Sequence, residues 1–135
     1  MIQKYRAWDT KNNEMFKDTF AITEGGEVVV VEQEFVTWAP DYVFVDHLVI
    51  MQSTGLHDKN GKEIFDGDIV TDGDVTSDIK YHQTLGFYMI GKYGFSVPFG
   101  QGVDVEYFEE FADHVSKTFE VVGNIYENPE LLEVE

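Results

Sequence analysis

The chain has no cysteine, one arginine and three prolines in 135 residues. Without cysteine there is no disulfide, no thiol nucleophile and no thiolate zinc site, and the composition fits a reducing compartment. Basic residues are scarce: 9 Lys and Arg face 26 Asp and Glu, a formal charge of −17. A nucleic-acid face needs clustered cations that displace phosphate counterions, so no direct nucleic-acid partner is expected. An anionic membrane surface is disfavoured for the same reason. No apolar run approaches the ~18 residues of a membrane span. The opening "MIQKYRAWD" lacks the apolar core of a signal peptide, and the expected location is the cytoplasm.

Hydrophobic residues make up 43% of the chain and aromatics 15%. This is a globular composition, and the length suits one domain over residues 1–135. "QKYRAWDTKNNEMF" reads as a strand, a turn over Asp9–Asn13 and a returning strand. Val28–Val31 is a β-branched run, predicting a strand that is buried on both faces or lies in the middle of a closed barrel. "YVFVDHLVIMQ", residues 42–52, predicts one further strand. From Ile69 onwards "DIV", "DIKYH", "GFYMIG" and "FSVPF" are short strand signals separated by glycines and polar residues. "DVEYFEEFADHV" breaks the pattern: Val105, Phe108, Phe111, Ala112 and Val115 fall at helical spacing, with Asp104 as cap. Near the end, Asn128 before Pro129 starts a short helical turn, the Asn side chain accepting from its free amides. The expected fold is mainly β. It is a small barrel-like or multi-stranded antiparallel sheet, with one short helix near 104–114 and a short C-terminal helical turn.

Residues 54–70, "TGLHDKNGKEIFDGDIV", are polar and glycine-rich between apolar runs. A calcium loop counted from Asp58 puts Lys62 where an oxygen ligand belongs and glycine two places early. Asp72, Asp74, Thr76 and Asp78 alternate like ligands, but Ser77 and Gln83 occupy the positions that need glycine and glutamate. The histidines, His47, His57, His82 and His114, show no paired helical spacing. "GFSVPFG" around Ser96 lacks the second glycine of a nucleophile elbow. His47 reads as a satisfied, partly buried side chain in preference to a base. No catalytic, cofactor-binding or metal-binding residue is assigned, and no cofactor. What remains is turn chemistry: a tight double turn between two strands, with Asp58 bonding forward, Asn60-Gly61 in a type I′ turn, and a second turn at Asp66-Gly67.

"MQSTGLHDKNGKEIFDGDIV" resembles the motif of the YopX family of small phage and prophage proteins. "KYRAWDTKNNEMF" is similar to that family's opening strand pair, and "VVGNIYENPELLE" to its closing strand and terminal turn. The matching segments are 3–16, 47–70 and 119–133, whereas 71–118 shows only a general likeness. The resemblance implies a mostly-β fold and a phage or prophage protein in a bacterial host cytoplasm. It implies no reaction. Gly55, Asp58, Gly61, Gly67, Asp68, Gly123, Asn124 and Pro129 have turn, cap and close-packing explanations.

The expected function is therefore that of a non-enzymatic accessory protein that binds and modulates a host or phage protein. One alternative is an acidic DNA mimic that inhibits a DNA-binding enzyme, presenting the acids at 66, 68, 72, 74 and 78. Another is a metal-dependent enzyme with a site of dispersed acids and histidines. An aromatic-rich β protein is also expected to self-associate as a homo-oligomer.

Overall fold

The computed structural model describes residues 4–32, 38–84, 86–91, 96–98 and 105–132. Its contacts divide the chain into two compact units, Arg6–Ile50 and Met1–Tyr5 with Met51–Glu135.

In the Arg6–Ile50 unit, β1 (Tyr5–Asp9) and β2 (Glu14–Met15) pair with Trp8 opposite Met15. The intervening turn forms as the sequence predicts. The Asp9 carboxylate accepts from the Lys11 and Asn12 amides at 2.9 and 3.0 Å, and Asn13 takes the left-handed φ of 57°. A three-stranded antiparallel sheet follows, in the order β3 (Phe20–Ile22), β4 (Val28–Glu32), β5 (Asp41–Phe44). The valine run is a strand, but of its side chains only Val29 is buried, so burial on both faces does not hold.

The apolar run 42–52 is not one strand. β5 ends at Phe44, and β6 (Leu48–His57) begins after a break at 45–47. The break has its cause in another segment. The His47 carbonyl accepts from the Thr10 amide at 2.9 Å and the Thr10 hydroxyl at 2.8 Å, which removes it from any strand ladder.

In the larger unit, β6 pairs with β7 (Glu63–Phe65). β8 (Asp68–Thr71) lies between β9 (Thr76–Asp78) and β13 (Glu120–Asn124), and β11 (Gly86–Ile90) lies between β10 (Lys80–His82) and β12 (Ser96–Pro98). "DIKYH" is thus split. Ile79 sits between β9 and β10, its amide donating to the Asp68 carbonyl at 2.8 Å and its carbonyl accepting from the Gly67 amide at 2.7 Å. Leu56, Ile64, Val70, Ile79, Phe87, Met89, Val115 and Phe119 form this unit's core. Fully burying such a side chain stabilises by about 1.5–3 kcal/mol.

The helix α1 (Val105–Thr118) runs past its expected end at 114. Val115 is fully buried, with Phe111 and Ala112 packed beside it, as the helical spacing requires. Asp104 and the side chains of Val105 and Phe108 lie outside the described residues. The C-terminal turn is a 3-10 helix, Pro129–Leu132. Asn128 does not cap it as expected: its side-chain oxygen turns back to accept from the Asn124 amide at 3.3 Å. The Leu131 amide bonds to the Asn128 carbonyl instead. The architecture is mainly β, in antiparallel sheets that include a curled half-barrel, with one α-helix and one 3-10 turn among the described residues.

Candidate functional site

The glycine-rich stretch resolves into backbone architecture. Asp58 is 3% exposed and accepts three amides. Its Oδ1 takes those of Asn60 and Lys62 at 2.9 and 2.8 Å, and its Oδ2 takes that of Val121 at 2.9 Å. Burial alone raises the Asp58 pKa, but the Val121, Lys62 and Asn60 amides outweigh it and hold the carboxyl below its ordinary value. The turn type differs from the expected I′. Gly61 has a positive φ of 79° and Asn60 does not, and the Gly61 amide donates to the Asp58 carbonyl at 3.0 Å. A three-residue loop with glycine in the left-handed position gives this pattern. Nothing lies within 4 Å of the place a Gly61 Cβ would occupy. Gly61→Ala therefore carries only the backbone cost, about 1–2 kcal/mol, expected as a fall in the urea midpoint at unchanged slope.

The second turn has Gly67 at φ 86°, the Asp66 carboxylate accepting from the Gln52 amide and buried Asp68 accepting from the Phe65 amide. Between the two turns lies the short strand β7, so the double turn contains a strand. Asn124 accepts from the Tyr126 and Glu127 amides at 3.0 and 2.9 Å. These carboxylates and amides position the chain.

The alternating acids do not converge. Asp72 accepts from the Val75 and Asp74 amides in the β8–β9 turn, which hold its pKa down, and Asp78 pairs with Lys80 at 3.0 Å. Asp68 is 1% exposed and cannot belong to a surface ladder of charge. Among the described residues no three His, Asp or Glu side chains are placed to hold a metal ion. His57, His82 and His114 are exposed and separate, and the Ser96 side chain lies outside the described residues.

The Arg6–Ile50 unit carries two surface features. One is an open cleft of about 760 Å³ lined by residues that include Asp9, Lys17, Asp18, Glu32 and His47. Here Asp9 Oδ1 lies 3.9 Å from His47 Nε2. That is beyond hydrogen-bond range, so the pair attracts only when the imidazole is protonated. The Asn12 amide, against burial, keeps the Asp9 pKa low. The His47 side chain is thus partly buried beside an anion.

The other feature is β5. All four of its residues are exposed, with Tyr42 at 63% and Phe44 at 65%. Trp38, just before it, is 55% exposed. The sequence reading missed this surface, because aromatics in an apolar run look the same whether covered or not.

Architecture and site together define a small, mainly antiparallel β protein whose conspicuous motif forms two turns held by Asp58, Asp66 and Asp68 and whose β5 carries exposed aromatics. The chain belongs to the YopX protein family, whose model matches residues 4–133, including the middle that showed only a general likeness. The structure is similar to that of protein EF1440 from Enterococcus faecalis, with 27% identity, a TM-score of 0.59, and 98% of this chain and 99% of that one covered. It is similar also to protein yopX from Bacillus subtilis, with 25% identity, a TM-score of 0.59, and 97% and 96% covered. No curated protein matches the chain. Among the described residues no helix is long and apolar enough to cross a membrane.

Proposed function

We propose that this chain is a phage- or prophage-encoded accessory protein that acts in the bacterial cytoplasm by binding a protein partner, and that it catalyses no reaction. One observation carries the reading: Tyr42 and Phe44, which share one face of β5, are 63% and 65% exposed. Aromatics are enriched at protein interfaces, and contiguous exposed apolar surface marks them. The net charge of −17 favours a basic protein over nucleic acid as the partner.

The test is affinity purification of the tagged chain from a bacterial host, with and without nuclease. A protein captured at stoichiometric ratio in both samples, and re-bound by the purified chain, is the expected result. Capture lost on nuclease treatment, or turnover of a substrate by the purified chain, overturns the reading.

A further inference from the structure

We propose that the outer edge of β5 takes an extended segment of a partner protein as an added antiparallel or parallel strand, and that this segment is apolar in its middle and carries Lys or Arg at both ends. The proposal rests on the binding reading above and names the partner's chemistry.

Among the described residues β5 pairs only with β4. The register sets Val43 opposite Val30 and Tyr42 opposite Val31, and the Val45 amide donates to the Val28 carbonyl at 3.1 Å. In an antiparallel ladder the residues that exchange bonds with a given neighbour alternate. Val45, Val43 and Asp41 therefore point their amides and carbonyls at β4. Tyr42 and Phe44 point theirs away from it, along the edge. An edge of this kind is a template for a further strand.

Charge gives the partner's chemistry. At one end of β5, Asp41 lies directly opposite Glu32, two exposed carboxylates in a cross-strand pair. Like charges so placed repel, and a cation from an added strand relieves that repulsion. At the other end Phe44 borders a shallow depression that Glu27 and Asp46 also line. Asp41 opens β5 and Asp46 lies two residues past its last residue, so an acid stands at each end of the Tyr42–Phe44 stretch. A strand with cations at two such ends and apolar residues between matches the edge. A second copy of this chain does not, because each copy carries −17.

The probe is the peptide Lys-Val-Thr-Val-Thr-Val-Lys, blocked at both ends, with the same peptide carrying Glu at both ends as control. Titration into the full chain, followed by amide NMR and hydrogen exchange, is expected to protect the Tyr42 and Phe44 amides at least tenfold with the Lys peptide alone. Higher salt is expected to weaken the effect several-fold. Tyr42→Pro removes an outward-facing amide without removing a bond to β4, a position proline tolerates on an edge strand. It is expected to abolish protection at Phe44, while Tyr42→Ala, which keeps the amide, retains most of it.

Equal loss in both variants means side-chain docking and overturns strand addition. Equal protection by the Glu peptide overturns the charge argument. Protection that appears without peptide as the protein is concentrated assigns the edge to a second copy and overturns the proposal. The two readings separate in the host purification. A partner held equally by wild type and by Tyr42→Pro leaves the binding function standing and removes the edge. No partner with either chain removes the binding function itself.

Discussion

Asp58→Ala is expected to cost about 3–5 kcal/mol in urea unfolding at neutral pH. Hydrogen bonds to a charged group contribute about 1.5–3 kcal/mol each, and the alanine leaves three amides without their acceptor. Two of them, Asn60 and Lys62, lie in an exposed turn and recover part of the loss from water. The third, Val121, is in β13, and losing it loosens the strand from the turn that anchors it. Asp58→Asn separates these contributions. Its side-chain oxygen still serves Asn60 and Lys62, but its NH2 faces the Val121 amide donor to donor, so a loss of about 2 kcal/mol is expected.

The same carboxylate predicts an acid limb. Its folded pKa is lowered, so its stabilisation is fully present above the unfolded value, about 3.9, and is lost as pH falls through the lower folded value. Unfolding free energy at pH 7, 4 and 3 should fall steeply over the last interval for the wild type. Asp58→Asn should flatten that fall. An unchanged acid limb in the asparagine variant would show that Asp58 is not what titrates. Asp9, Glu63 and Asp72 are shifted in the same direction, so some acid dependence remains in the variant.

What the sequence made legible here was local. Asp9 and Asp58 announce their turns because a short carboxylate reaches amides two to four residues ahead, and that chemistry is written in neighbouring letters. The stripe of Phe111, Ala112 and Val115 announces a helix face for the same reason. The second half of Asp58's role was not legible: Val121 lies 63 positions away, and nothing in "DKNG" refers to it. The break at 45–47 was hidden likewise, since its cause is Thr10 reaching the His47 carbonyl from another segment. β5 failed differently. An apolar run states that a strand forms, not that anything covers it, and the Asp41–Glu32 opposition exists only once the register is known. The acids from 66 to 78 looked like one stripe in the sequence, yet folding buries Asp68 and commits Asp72 to a turn.

Gly123→Ala tests the closing segment, where the requirement is room. Gly123 has no positive φ that would demand glycine. It sits in β13 opposite Ile69, next to a register shift after Val121. A Cβ placed there would lie 2.5 Å from Asn128 Oδ1, 2.8 Å from its Cγ and 2.9 Å from its Cβ. The third distance matters most. Swinging the amide aside clears the oxygen, but the Asn128 Cβ moves only with the backbone, and the Asn128 amide is bonded to the Asn124 carbonyl at 2.8 Å. Overpacking of this kind costs about 1–3 kcal/mol, and the displaced side chain also gives up its bond from the Asn124 amide. A loss of about 2–3 kcal/mol is expected for Gly123→Ala. Asn128→Gly in the same chain removes all three clashing atoms, so the double variant should lose less than the two single losses added. Double-mutant cycles in urea read that difference directly. Strict additivity would mean that the strand does not pack against Asn128. A coupling of at least about 1 kcal/mol would establish close approach, not backbone conformation, as the reason glycine stands at 123.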